Sequence, residues 1–188
     1  MTRIIGGIAG SRTLASPAKV TRPTSDRIRE SIFNRLEALN LISGADVLDL
    51  YAGTGALGLE AASRGCRSVM LVEQHKQALG GIITNQRMIK AALQKEELDC
   101  DIRAEGKSVA SYLTTFSGKF DLVFIDPPYE VANTEVTENL EALLAHLNED
   151  AVIVLERSSR TPMPELPEGL TLSEEKSYGD TVVYWLAN

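Results

Sequence analysis

Ala45-Asp-Val-Leu-Asp-Leu50-Tyr-Ala-Gly-Thr-Gly55-Ala-Leu-Gly-Leu-Glu60-Ala-Ala-Ser-Arg-Gly65 decides the architecture. Ala45 to Leu50 is a short apolar run and reads as a buried strand. Leu57 to Arg64 reads as a helix stopped by Gly65. Between them Gly53-Thr-Gly55-Ala-Leu-Gly58 forms a G-x-G-x-x-G loop. The alternation continues downstream. Ser68 to Val72 is a strand, followed by a helix through about Ala92. Cys100 to Ala104 is a weak strand and Ser108 to Phe116 a helix. Phe120 to Ile125 is a strongly apolar strand, Thr134 to Leu147 a helix, and Ala151 to Leu155 a buried strand. Leu170 to Ser177 and Thr181 to Leu186 read as two strands joined at Gly179-Asp180. These repeated units predict an α/β fold: a seven-stranded, mostly parallel sheet with helices on both faces and a carboxy-terminal antiparallel hairpin.

Upstream, residues 3–8 and 12–15 can pair as a small hairpin through Ala9-Gly10-Ser11. Ser16 to Pro23 reads as an irregular link, and Thr24 as a helix cap with Asp26 in the first turn. Ile28, Ile32, Leu36 and Leu39 then recur at helical spacing, which predicts a helix over 25–40. Charge separates this segment from the rest. Residues 1–40 hold seven basic and three acidic side chains, net +4, and residues 41–188 hold twelve and twenty-three, net −11. The chain therefore divides into a basic amino-terminal arm, residues 1–40, and a body, residues 41–188. Such an arm is expected to meet a polyanion, the alternative being a solvated helix face. The overall charge of −7 argues against indiscriminate nucleic-acid binding.

Composition bounds the remaining classes. With 188 residues, 44% apolar and 24% charged, one domain is expected, burying roughly 70% of its unfolded surface. Cys66, Cys100, His75 and His146 form no cluster, so no metal is expected, and two thiols without a framework suit a reducing cytoplasm. Ala151 to Leu155 is among the longest apolar runs, far short of the ~20 residues of a membrane helix. Ile4 to Ala9 is too short and glycine-broken for a signal peptide.

The glycine loop, with Glu73 near the tip of the second strand, matches the dinucleotide fingerprint. Asp49 argues against NAD, because a carboxylate at the strand tip repels a pyrophosphate and attracts an ammonium. S-adenosylmethionine fits better, having no phosphate but an ammonium, a sulfonium and a ribose diol. Asp49 can take the ammonium, Gly53 and Gly55 allow close backbone approach, and Glu73 can accept the ribose hydroxyls. The alternative is a tight turn with an incidental acid.

Asp126-Pro127-Pro128-Tyr129 follows the apolar strand at its carboxyl end, where open α/β sheets bind ligands. Two prolines stiffen the loop and remove two donors. Asp126 and the Pro127 carbonyl can accept the protons of a planar amine, and Tyr129 can stack a flipped base. A carboxylate suits guanine, with its two adjacent donors, better than adenine. A rigid turn with a surface Tyr is the alternative.

With these residues in place, the chain resembles class I methyltransferases of Rossmann-like fold, and more closely the bacterial small-subunit rRNA guanine-N2 methyltransferase family (the RsmD type). Arg3-Ile-Ile-Gly-Gly7 and Arg22-Pro-Thr-Ser-Asp-Arg27-Ile-Arg29-Glu30-Ser-Ile-Phe33-Asn34 look like its amino-terminal signatures. Leu48 to Gly65 looks like its cofactor segment, and Asp126-Pro-Pro-Tyr129, Glu156 and Tyr178-Gly-Asp-Thr181 like later blocks. The resemblance implies S-adenosylmethionine at Asp49, Tyr51, Gly53, Thr54, Gly55 and Glu73, and the target amine at Asp126 and its loop. It implies RNA contact by the arm, with Arg3, Arg12, Arg22, Arg27 and Arg29 as candidates. The implied partner is 16S rRNA of the small ribosomal subunit, in the cytoplasm, with neither membrane nor obligate protein partner. Tyr51 and Thr54 replace the family's common Phe and Ser, and Ser11 a common Gly. Glu105-Gly-Lys107-Ser108 matches no adenine-contacting pattern.

Arg22, Arg27 and Arg29 keep three uses open: phosphate contact, a clamp on the cofactor carboxylate, or surface charge. Glu156 is open between substrate contact and a salt bridge to the arm. Two competing functions also stand: methylation of another exocyclic amine, such as DNA or RNA adenine, and a non-catalytic cofactor-binding RNA module.

Overall fold

A computed structural model describes residues 2–16 and 25–188. Its elements run α1 (Asp26–Ala38), β1 (Asp46–Leu50), α2 (Ala56–Ser63), β2 (Ser68–Val72), α3 (Lys76–Lys95), β3 (Asp101–Glu105), α4 (Val109–Thr115), β4 (Phe120–Ile125), α5 (Asn133–Leu143), β5 (Leu147–Ser158), β6 (Thr171–Tyr178) and β7 (Thr181–Ala187). One sheet holds all seven strands in the order β3-β2-β1-β4-β5-β7-β6. β1 to β5 are parallel, and β7 runs antiparallel between β5 and β6. The expected fold class, a seven-stranded and mostly parallel sheet closed by an antiparallel pair, is therefore present.

The strands read as continuous apolar runs because both sheet faces are covered. Val47, Leu122, Phe124 and Val154 join the core under α1, α2 and α3. Leu48, Leu50, Val123, Ile125, Ile153 and Leu155 join the core under α4 and α5. α1 enters the first core through Ile28, Ile32, Phe33 and Leu36, and Phe33 meets Phe124 at a ring-centroid distance of 5.6 Å. The helix begins after Ser25, whose Oγ accepts the Ile28 N–H at 3.3 Å. Thr24, Arg22 and the rest of the expected link after Ser16 lie outside the described residues.

The expected amino-terminal hairpin is present in short form, with an antiparallel bridge from Arg3 to Thr13. Three backbone bonds close it on itself, Ile4 N–H to the Arg12 carbonyl at 2.9 Å, Ser11 N–H to the Ile4 carbonyl at 2.8 Å and Leu14 N–H to the Thr2 carbonyl at 2.8 Å, and the paired segment also binds the end of α2. Ile5 and Gly6 donate their N–H groups to Glu60 at 2.6 and 2.7 Å. Ile8 donates to the Ser63 carbonyl and Ala9 to Ser63 Oγ, both at 2.8 Å. Gly7, at φ +69°, lies so close that a Cβ would sit 2.0 Å from the Ser63 carbonyl oxygen. Ile4, Ala9 and Leu14 fill the core shared with α1. Truncating this segment would remove core as well as charge.

The predicted helix to Leu147 is shorter. α5 stops at Leu143, one tight turn spans Leu144–His146, and β5 starts at Leu147 rather than Ala151. His146 is buried in that turn, its ring nitrogens 3.1 and 2.9 Å from the carbonyl oxygens of Gly118 and Leu113.

Glu60 is fully buried and also pairs with Arg64 at 2.7 Å. Glu60→Ala would strand two amides and weaken the hold on Arg64. We expect a loss of about 3–5 kcal/mol in chemical denaturation, with faster hydrogen exchange at Ile5 and Gly6. A loss under about 1 kcal/mol would show that the clip holds nothing.

Candidate active site

The strand order reverses between β1 and β4, which opens a crevice at their carboxyl ends. A cavity of about 480 Å³ lies there, a size suited to a small-molecule ligand. The glycine loop, the ends of β2 and β4, Lys107 after β3, the start of α1 and the β6–β7 turn line it.

Strand alternation aims Asp49 at α2, on the same side as Val47. Its side chain is buried, and Oδ2 accepts the Gly58 N–H at 2.9 Å. A Cβ on Gly58 would lie 2.5 Å from Leu71, 2.8 Å from Val69 and 3.1 Å from Asp49 Oδ2, so only glycine brings the helix this close. Burial raises the Asp49 pKa, the Gly58 N–H opposes the rise, and the charges of Asp126 and Glu73 add to it. The carboxyl is pushed up to about 7.

Glu73 holds the other side of the loop. Its Oε2 accepts the Gly53 N–H at 2.9 Å and its Oε1 the His75 N–H at 2.7 Å. Each oxygen keeps a further lone pair. Tyr51, Gly53 and Gly55 take φ values of +59°, +56° and +77°. Glycine does this freely, whereas Tyr51 does so at roughly 1–2 kcal/mol. The Tyr51 hydroxyl accepts from Asn139 at 2.9 Å and donates to Glu135 at 3.2 Å, both on α5. Its ring still borders the cavity. Thr54 is buried, and its carbonyl accepts from Asn85 Nδ2 on α3 at 2.9 Å. Asn85 also accepts the Ala15 N–H at 2.7 Å and donates to the Ala15 carbonyl at 3.0 Å, tying the amino-terminal segment to the loop.

Asp126 stands one step beyond the Leu50–Ile125 pair, on the face that Phe124 shares with Asp49. Pro127 is buried, while Pro128 and Tyr129 are exposed, Tyr129 by 53%. The Pro128 carbonyl accepts the Val131 N–H at 3.0 Å and turns the loop. Arg157 of β5 then pins the outgoing chain, Nη2 donating at 2.9 Å to both the Val131 carbonyl and Asn133 Oδ1. Burial lowers the Arg157 pKa, and the Tyr51, Tyr184 and Asp126 side chains oppose that. Nothing in the sequence singled out Asn85 or Arg157, because each acts through contacts distant in the chain.

The arginines of residues 1–40 part company. Arg3 is exposed and pairs with Asp26 at 3.1 Å. Arg12 is half-buried, donating to the Ile8 carbonyl at 3.2 Å, and Arg27 is exposed. Arg29 is fully buried on the cavity wall. Arg22 lies outside the described residues. Glu156 is buried and lines the cavity. Among the described residues no group of three or more His, Cys, Asp or Glu could hold a metal ion, and no helix is long and apolar enough to cross a membrane.

The chain matches a family model described as Conserved hypothetical protein 95 over residues 2–187. It is 34% identical over 178 residues to Ribosomal RNA small subunit methyltransferase D of Escherichia coli K12, covering 94% of this chain and 85% of that one. The Haemophilus influenzae protein of the same name is 31% identical over 180 residues, covering 94% and 89%. The solved Escherichia coli structure named "Putative methyltransferase yhhF" superposes with a TM-score of 0.85 at 30% identity, covering 100% of this chain and 97% of that one.

The raised Asp49 pKa has a thermodynamic sign. The folded protein holds a proton that the unfolded chain releases, so stability falls as pH rises from about 4 to about 7, and the whole penalty is present above that window. Asp49→Asn removes the penalty. The ligand-free variant should match wild type near pH 4 and exceed it near pH 8 by up to ~4 kcal/mol in denaturation experiments. A difference that does not vary with pH would refute the raised value.

Proposed function

The chain belongs to the Conserved hypothetical protein 95 family and is a methyltransferase, and from that premise we propose that it transfers a methyl group from S-adenosylmethionine to the N2 amine of a guanine in 16S rRNA of the small ribosomal subunit. One observation carries this reading. Asp49 with its glycine loop, and Asp126 with its Pro-Pro-Tyr loop, border a single cavity across the β1–β4 crevice. One half suits the donor and the other suits the acceptor. The matched relatives, named for small-subunit rRNA, support the substrate class.

The donor set fits S-adenosylmethionine. Asp49, buried and held by the Gly58 N–H, ionises most readily beside a cation and so accepts an ammonium. Glu73 keeps lone pairs for a diol and Gly53 leaves the loop backbone open to close approach, whereas Gly55 faces Leu59 and Leu71 and serves the turn. When bound, S-adenosylmethionine supplies an electrophilic methyl on its sulfonium. Asp126 accepts protons from the guanine edge and holds the amine lone pair toward that methyl. The ring of Tyr129, largely exposed, offers a stacking face worth about 1–3 kcal/mol per base. Catalysis by these groups is positioning and electrostatics, and the amine gives up its proton to water after transfer. Arg3, Arg12 and Arg27 supply charge for the RNA backbone beside the site. A ribosomal substrate places the work in the cytoplasm.

The test uses isotope-labelled S-adenosylmethionine with small subunits that lack the modification, and with naked 16S rRNA. Label should be recovered as N2-methylguanosine at one position. Asp126→Ala should lower kcat by about 100- to 1000-fold, and Asp49→Ala should abolish cofactor binding in calorimetry. Label on adenine would move the enzyme to another exocyclic amine. Cofactor binding without label on either RNA would leave a non-catalytic module.

A further inference from the structure

Cys66 and Cys100 stand 34 positions apart in the chain, yet their sulfurs lie 3.7 Å from each other. Cys66 sits between α2 and β2, and Cys100 directly precedes β3. Both are free thiols in the core that α3 covers. Backbone pairing brings them together. Ser68 is in register with Asp101, and the Asp101 N–H donates to the Arg67 carbonyl at 3.1 Å. The two chain segments are therefore already at sheet spacing where the thiols meet. A disulfide holds its sulfurs about 2.05 Å apart, so each sulfur has about 0.8 Å to travel, a movement of side chains and not of strands.

Access to the pair comes from one side. Cys100 is 4% exposed and borders a second cavity of about 390 Å³, remote in sequence from the candidate active site and lined also by Lys90, Asp99, Asp101 and Arg103. β3 is an edge strand of the sheet, so the chain beside Cys100 opens to solvent more readily than an interior strand does. The electrostatics favour the same thiol. The Cys66 S–H donates to the Cys100 sulfur and lowers the Cys100 pKa; burial and the Asp101 and Asp99 carboxylates oppose this, and Lys90 assists it. The same contact, together with burial, pushes the Cys66 thiol up. Cys100 is thus the thiolate of the pair, and the thiolate is the nucleophile.

We propose that Cys66 and Cys100 form a two-electron redox pair, converted to a disulfide by hydrogen peroxide with Cys100 as the attacking sulfur. The Cys100 thiolate attacks one peroxide oxygen, and the O–O bond breaks. Cys100 becomes a sulfenic acid, and the departing hydroxide is neutralised by the proton that Cys100 had released. The Cys66 sulfur then attacks the Cys100 sulfur, the S–O bond breaks, and the second hydroxide leaves as water with the Cys66 proton. Two thiols and one peroxide give one disulfide and two waters. The bridge closes a loop over β2 and α3, the segment that carries Glu73 and Asn85. It lies at the amino ends of β2 and β3, whereas the candidate active site opens at the carboxyl ends of the strands. Oxidation therefore staples the fold without entering the site.

The test treats the native protein with hydrogen peroxide, quenches it, unfolds it in N-ethylmaleimide and measures the intact mass. The mass should fall by about 2 Da with no alkylation, and a reductant should restore both alkylatable thiols. Digestion should yield one cross-linked peptide pair holding Cys66 and Cys100. Cys66→Ala should leave Cys100 to gain about 16 and then 32 Da as sulfenic and sulfinic acid, whereas Cys66 of Cys100→Ala should stay alkylatable. The denaturation midpoint of wild type should rise on oxidation and return on reduction. The wild-type masses decide the pairing even if a variant does not fold. Two thiols still alkylatable after peroxide, or lost only when the protein is first unfolded, would overturn the proposal. So would sulfinic acid on both cysteines, a disulfide between two copies of the chain, or a midpoint that oxidation leaves unmoved.

Discussion

Two carboxylates hold the glycine loop from opposite sides, and the site is arranged around them. Asp49 grips the amide of Gly58 and Glu73 the amide of Gly53. Between those grips the chain reverses through left-handed positions at Tyr51, Gly53 and Gly55. The loop is shaped by acceptors that stay partly available, not by a packed side chain. This explains why the crevice is acidic. The carboxylates that fix the backbone are also the ones that line the cavity, and their mutual repulsion contributes to raising Asp49.

The amino-terminal segment answers that acidity from above. Glu60, Ser63 and Asn85 bind its backbone, so the small hairpin lies as a strap over α2 and α3. The strap and the first turn of α1 deliver Arg29 to the cavity wall. Asn85 joins Ala15 to Thr54, so the segment proposed to meet RNA and the loop proposed to meet the methyl donor share one side chain. A displacement at either end reaches the other through a single amide.

Much of the fold was legible because each strand is buried on both faces, which writes it as an unbroken apolar run. β5 shows the limit. Its first third, Leu147-Asn-Glu-Asp150, is too polar to read as a strand, and it pairs through an irregular register with β4. The glycine loop and Asp126-Pro-Pro-Tyr129 were legible because their chemistry lies in consecutive residues. The anchors of the amino-terminal hairpin were hidden for the opposite reason. Arg3 to Leu14 pairs with itself as its composition suggests, but the side chains that anchor it, Glu60 and Ser63, lie more than fifty positions away. Charge marked Arg29 as a cation of the arm, yet only tertiary packing shows that it points inward. Ser11, where a glycine is common in the family it resembles, does take a positive φ of 66°, so the turn survives the change at the expense of some strain.

The position of β7 has a consequence for how the chain comes to be folded. It is the final strand in sequence, yet it lies between β5 and β6, hydrogen-bonded to both. A chain growing from its amino terminus can assemble β1 to β5 and their helices early, but β6 has no neighbour in the sheet until β7 emerges. Until then the edge of β5 stands open, with Val154 and Leu155 awaiting Trp185 and Tyr184. Vectorial synthesis therefore leaves this protein with a late, single closing step. A chain cut before β7 would keep a bare edge at β5, a template for aggregation.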